Sequence, residues 1–193
     1  MKIIQDHKLT IIAGVVLTLI LVAIGIKSTI AGGGAYDGLD PFGLVRFGHI
    51  LTGITWIGLL YYFNFVQVPS LGSVTAETKA ELFKQGSIVR RALWWFRWSA
   101  LFTVLFGLAL YHNLGTAAGW DIRIGAAFGI IMWFNVWFII WPAQKKVIGI
   151  VNAEADEKAA AGKRALIASR INTMFSLPML FFMTSSAHFP IFN

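Results

Sequence analysis

The chain contains no cysteine. That absence excludes disulfides, iron–sulfur clusters, thiolate zinc sites, covalently attached c-type haem and cysteine nucleophiles. Charge is scarce as well: Asp, Glu, Lys and Arg make up 13% of 193 residues, where soluble domains carry about 25%. So few charges cannot cover a soluble surface. Together with 57% hydrophobic residues and a mean hydropathy of +0.70, they exclude a disordered chain and a basic nucleic-acid module. Nine acidic residues face sixteen basic ones, a net charge of +7. In a membrane protein such an excess reflects the bias of Lys and Arg towards the cytoplasmic side. Histidine is limited to His7, His49, His112 and His188. With no cysteine, a tightly held transition metal or haem iron depends mainly on those four.

What the chain does have is long apolar runs. Five reach spanning length, at about 9–26, 42–68, 92–114, 122–141 and 171–189. Asp40-Pro41 opens the second and Pro69 closes it; Asp121 opens the fourth and Pro142 closes it; Pro190 follows the fifth, with a kink expected at Pro178. The first run is too long for the apolar core of a signal peptide and reads as a retained span. The connections 73–91 and 143–170 mix apolar and charged residues, as helical extensions or interfacial helices do. The expected fold is therefore all-α, one integral membrane bundle of five transmembrane helices over 1–193, with interfacial helical loops.

Orientation follows from the basic residues. The amino terminus and the second and fourth connections share a side and carry twelve Lys and Arg; the opposite side carries Lys27, Arg46 and Arg123. This predicts a cytoplasmic amino terminus, a periplasmic carboxyl terminus and a multi-pass protein of the bacterial inner membrane.

On those spans His49, His112 and His188 all fall in the outer half of the bilayer. His49 lies seven residues into its span, about 10 Å at 1.5 Å per residue. Intramembrane ionisable residues are costly and tend to face a bundle interior, and a neutral imidazole is a common ligand of haem iron and of other metals. A lone histidine near a helix end is ordinarily an interface or hydrogen-bonded residue; several from different helices at one level point to a shared ligand. Around His49, Gly48 and Gly53 leave room for a flat macrocycle, Arg46 lies one turn nearer the outside on the same face for an anionic propionate, and Trp56 continues that face inward. Gly125-x-x-x-Gly129 reads as close helix packing. Asn64, Gln67, Asn135 and Asn172 read as interhelical hydrogen-bonding residues.

The stretch 47–67, from Phe47-Gly48-His49-Ile50-Leu51-Thr52-Gly53 through Trp56 to Asn64-Phe65-Val66-Gln67, resembles the amino-terminal membrane domain of bacterial membrane-bound urate oxidase (urate hydroxylase). The stretches 135–146 and 168–173, with Pro178-Met179-Leu180-Phe181-Phe182-Met183 and His188, are similar to further parts of that family. The family carries a c-type cytochrome domain after its membrane domain, whereas this sequence has no Cys-x-x-Cys-His. The resemblance implies a redox protein that hands electrons to a separate periplasmic acceptor, such as a c-type cytochrome.

Three readings follow. In the first, a b-type haem is held by His49 and His188, with His112 as an alternative ligand or pocket residue and Arg46 and Arg123 as anion partners; the chain is then a possible urate-oxidising oxidoreductase. In the second, it is an accessory subunit of a larger respiratory or oxidase complex. In the third, His49, His112 and His188 hold copper or another metal. All three place it in the lipid bilayer, with no nucleic-acid partner.

Overall fold

The computed structural model describes residues 2–192. They form two compact units, residues 1–40 and 41–193. Among the described residues there is no strand, and five helices are long and apolar enough to cross a membrane.

The first unit contains a short turn α1 (Lys2–Gln5) and the helix α2 (His7–Ala31). Asp6 caps α2, its carboxylate accepting the amide hydrogens of Lys8 and Leu9. This satisfies donors that a helix start leaves unpaired. Aliphatic residues surround the helix on all sides, as in a membrane span.

The second unit starts with α3 (Pro41–Tyr61), which passes through a π-helical turn (Tyr62–Gln67) into α4 (Val68–Ser73). A short helix, α5 (Ala76–Phe83), precedes α6 (Ile88–Leu114). Then α7 (Trp120–Phe134) runs through a second π turn (Asn135–Ile140) into α8 (Trp141–Val147), and α9 (Ala155–His188) closes the bundle.

The two π turns extend spans that the proline positions had ended early. An α-helix would need Pro69 and Pro142 to donate to the carbonyls four residues back, and proline has no N–H. Each proline instead stands two residues beyond a wider turn, in which Val68 donates to the Phe63 carbonyl and Trp141 to that of Val136. The ladder slips by one residue and the helix continues. The second and fourth spans therefore reach Ser73 and Val147. The fifth is longer still: the charged segment 155–170 joins it, and Pro178 lies inside one continuous helix.

Packing within the unit is antiparallel. On α3 and α6, Gly48 meets Phe106, Gly53 meets Thr103 and Phe63 meets Phe96. On α7 and α9, Gly125 lies against the backbone of Met183, where an added Cβ would stand 3.0 Å from its amide nitrogen. Only glycine permits that approach. The apolar core gathers Trp56, Leu60, Phe63, Phe96, Ala100, Met132, Val136 and Met179. A polar seam crosses it: Asn135 donates to the side-chain oxygen of Asn172 at 2.8 Å, Asn172 donates to the Met132 carbonyl at 2.9 Å, Asn64 donates to Ser169 at 2.8 Å, and the hydroxyls of Tyr61 and Ser176 lie 2.9 Å apart. Meanwhile Ile50, Leu51, Ile54, Phe102, Leu105, Phe134, Phe138 and Leu177 are exposed. Polar groups inside and apolar groups outside is the arrangement a bilayer favours as solvent.

Arg90 fastens the short helix to this frame. Its guanidinium donates to the Phe83 carbonyl at the end of α5 and to the Ile148 carbonyl in the loop before α9. At the other end of α5, Thr75 caps the helix. The Glu77 carboxylate, bonded to its own backbone N–H and to Thr75, is held below its ordinary pKa.

Candidate functional site around His49

His49 lies half-buried on the third turn of α3, on the side that meets α6. Its Nδ1 is 2.8 Å from the backbone carbonyl oxygen of Thr103. A carbonyl can only accept, so Nδ1 carries a proton, and when the ring is neutral its lone pair is on Nε2. Metal-ligating histidines are ordinarily oriented in this way, with one nitrogen donating to a carbonyl or carboxylate and the other left to ligate.

Gly107 makes the arrangement possible. A Cβ there would lie 3.0 Å from Cε1 and 3.2 Å from Nδ1 of His49. With no side chain at this position, the imidazole rests on the α6 backbone, one turn from the Thr103 carbonyl that anchors it. The Thr103 hydroxyl turns back along its own helix and donates to Ser99, 2.7 Å away.

The other residues singled out in the sequence take different places. Gly48 and Gly53 face α6: the Phe106 ring packs on the first, and Thr103 Cγ2 is 3.7 Å from where a Cβ of the second would be. These glycines serve the packing of two helices. Trp56 is buried in the core, its indole N–H without an acceptor. Arg46 is exposed. Arg123 donates to the Ala118 carbonyl at 2.9 Å and lies over the Trp120 ring.

His112 and His188 are both exposed, each in the last turn of its helix. His112 stands five residues beyond Gly107, roughly 7.5 Å nearer the end of α6 than the turn that carries the His49 ring. Among the described residues, no three His, Asp or Glu side chains form a group able to hold a metal ion. The structure does not bring His49, His112 and His188 together as the three-histidine metal site that one reading required.

The end of α9 is nonetheless fixed. Asp121, buried in the first turn of α7, accepts the backbone N–H of Ile191 at 2.7 Å and of Phe192 at 3.2 Å. The sequence made Asp121 a helix cap. Gly119 holds that position, and the carboxylate instead grips the chain just after His188. A carboxylate in this first turn also gains from the helix dipole.

A second, half-buried polar group lies elsewhere in the bundle. The Arg97 guanidinium, on α6, sits 3.7 Å from the centroid of the Trp141 ring and 5.6 Å from that of Trp137. Such stacking is a favourable contact for a poorly hydrated cation. One of its terminal nitrogens, Nη1, is buried without an acceptor, as are the indole nitrogens of Trp133 and Trp137.

Residues 111–193 match the family described as urate oxidase N-terminal. Over that stretch, from the last turn of α6 through α9, the chain is similar to a urate oxidase amino-terminal domain. The match takes in His112, Asn135, Asn172 and His188; the segment carrying His49 precedes it. No curated protein matches the chain, and no solved structure does.

Proposed function

We propose that this chain is the membrane part of a urate-oxidase-like redox system and holds one b-type haem, with His49 as an axial ligand and His188 as its partner. The observation that supports the reading is the bond from His49 to Thr103, which puts a proton on Nδ1 and so leaves Nε2 as the nitrogen of the neutral ring that could ligate iron. The ring is half-buried on a spanning helix, where an imidazole without a role is costly. His188 contributes from the end of α9, which Asp121 steadies through Ile191 and Phe192.

A bound haem would supply one-electron chemistry at this position. The chain's own residues set the conditions for it. Thr103 and Gly107 hold the His49 ring in one tautomer and one orientation. Arg46, exposed one turn before His49 on α3, provides positive charge for a propionate or for an anionic substrate such as urate. The exposed apolar faces keep the site within the bilayer, with the amino terminus cytoplasmic and the carboxyl terminus periplasmic, in a bacterial inner membrane. The acceptor is then a separate c-type cytochrome or a subunit of a larger complex.

The test is an optical difference spectrum of the purified full chain, dithionite-reduced minus air-oxidised, followed by anaerobic addition of urate. The expected result is a b-type α band with dithionite that urate also elicits. A sample without a visible band removes haem; a band that urate leaves unchanged removes urate as reductant.

A further inference from the structure

We propose that the chain holds one anionic phospholipid in the open groove between the second π turn and α9, with the lipid phosphate at Lys163 and Arg164 and an acyl chain along the isoleucines beyond them. The groove lies on helices other than those that carry and anchor His49, and the proposal does not depend on the haem reading.

The spacing of residues on α9 makes the groove. Ala160, Lys163, Arg164, Ile167 and Ile171 recur every three or four residues and so share one face of the helix. Ile139, from the second π turn, lines the groove opposite them. Ala143 on α8 packs on Ala161 and Ala165, small side chains that let α8 and α9 approach closely. Ala160 is equally small, and its methyl group leaves the hollow open between longer neighbours.

The two ends of the groove differ in chemistry. At one end Lys163 and Arg164 are exposed. Among the described residues, none that lines the groove is acidic. The positions three and four residues from either cation on α9 hold only Ala, Leu and Ile. The described ion pairs use other residues, Lys84 with Glu81 and Lys146 with Glu157. Two neighbouring cations are thus left without a carboxylate. The other end is apolar. Ile167 and Ile171 are 50% and 37% exposed, and Asn135, which also lines the groove, is already bonded to Asn172. Ile171 lies eight residues beyond Lys163, roughly 12 Å along the helix.

A ligand that satisfies both ends is an anion at one and a hydrocarbon at the other. Free phosphate would leave the isoleucines uncovered. An acidic peptide would set polar backbone groups against them at a desolvation cost. A phospholipid covers both, and basic pockets between spanning helices recognise anionic headgroups.

Native mass spectrometry of the full chain, released from detergent, measures the dissociation constant of the first lipid bound. The ligands are phosphatidylglycerol, phosphatidylcholine with the same acyl chains, and glycerophosphoglycerol, which is the first headgroup without its chains. Each basic residue near the phosphate is worth about fivefold. Phosphatidylglycerol should therefore bind about tenfold or more tighter than phosphatidylcholine, and tighter than the chainless headgroup by a similar factor. Lys163→Gln combined with Arg164→Gln should remove the preference for phosphatidylglycerol. Lys158→Gln, an equal loss of charge at an exposed residue outside the groove, should leave it in place. All three side chains are exposed, so the packed core is untouched. Equal affinity for the two lipids in the unaltered protein overturns the proposal without any variant. A preference that survives the double substitution also overturns it. So does an equal loss in Lys158→Gln, which would mean general attraction to a basic surface, or headgroup binding as tight as that of the lipid, which would mean an anion site with no place for a chain.

Discussion

A β-carbon on Gly107 would lie 3.0 Å from Cε1 of His49. The imidazole and the α6 backbone therefore fit together only because this position has no side chain. A separate hydrogen bond, to the Thr103 carbonyl one turn earlier, sets which ring nitrogen carries the proton, since a carbonyl accepts a hydrogen bond and cannot donate one.

Gly107→Ala should therefore do more than lower stability. Overpacking of this kind costs about 1–3 kcal/mol, partly offset by up to about 1 kcal/mol of helix propensity. Thermal unfolding in detergent measures the net change, and Gly107→Val should be more damaging. In a haem-loaded protein the α band should shift or broaden as the His49 ring is displaced. An unchanged melting temperature in both variants would deny the close contact.

The glycines of the α7–α9 interface should separate in sign. A Cβ on Gly125 meets the Met183 backbone at 3.0 Å, which no rotamer change relieves, whereas one on Gly129 meets only Met179 Cγ at 4.0 Å. Gly125→Ala should destabilise by about 1–3 kcal/mol. Gly129→Ala should be neutral or stabilising by up to about 1 kcal/mol. Equilibrium unfolding of the two variants side by side checks the contrast.

Asn172 serves two partners at once, accepting from Asn135 and donating to the Met132 carbonyl. Asn172→Leu should cost about 1–2 kcal/mol, because it leaves the buried Asn135 amide without its acceptor and takes one of two donors from the Met132 carbonyl. Replacing Asn135 in addition should add less than its single effect, since the two share a bond. A double-mutant cycle by unfolding in mixed micelles gives the coupling; strict additivity would contradict the shared bond.

Asp121→Ala should free the chain end. It removes the acceptor for Ile191 and Phe192, so amide hydrogen exchange at 191 and 192 should accelerate while exchange in the middle of α9 stays protected. Unaltered exchange at both amides would show that the carboxylate does not hold them.

The sequence and the structure agree most closely where physics is local. Five apolar runs announce five spanning helices, and Gly125 announces a tight crossing. The ends of the spans were harder to place. Pro69 and Pro142 are ordinary stop signals, and only the wider turns that precede them let the helices continue. The charged connection 143–170 reads as a helical extension or an interfacial helix, and from Ala155 onward it is an extension: Ala159-Ala160-Ala161 and Ala165 favour helix strongly enough to fuse it to the last span. His49 stood out because an imidazole inside an apolar run is costly. Its anchor did not, because a backbone carbonyl 54 residues away leaves no mark on composition or period. Gly107 had a signal of its own, a glycine beside an aromatic within a spanning run, but nothing local tied it to a histidine on another helix. The expected level of the three histidines rested on counting from helix ends, which does not convey that two of them are exposed in last turns.

The most direct test of the central claim is the reduced-minus-oxidised spectrum of His49→Ala, recorded with and without added imidazole. Loss of the b-type α band in the variant, and its return when free imidazole occupies the space left by the side chain, is the predicted result. An α band of full intensity in His49→Ala without imidazole would contradict the assignment of His49 as an axial ligand.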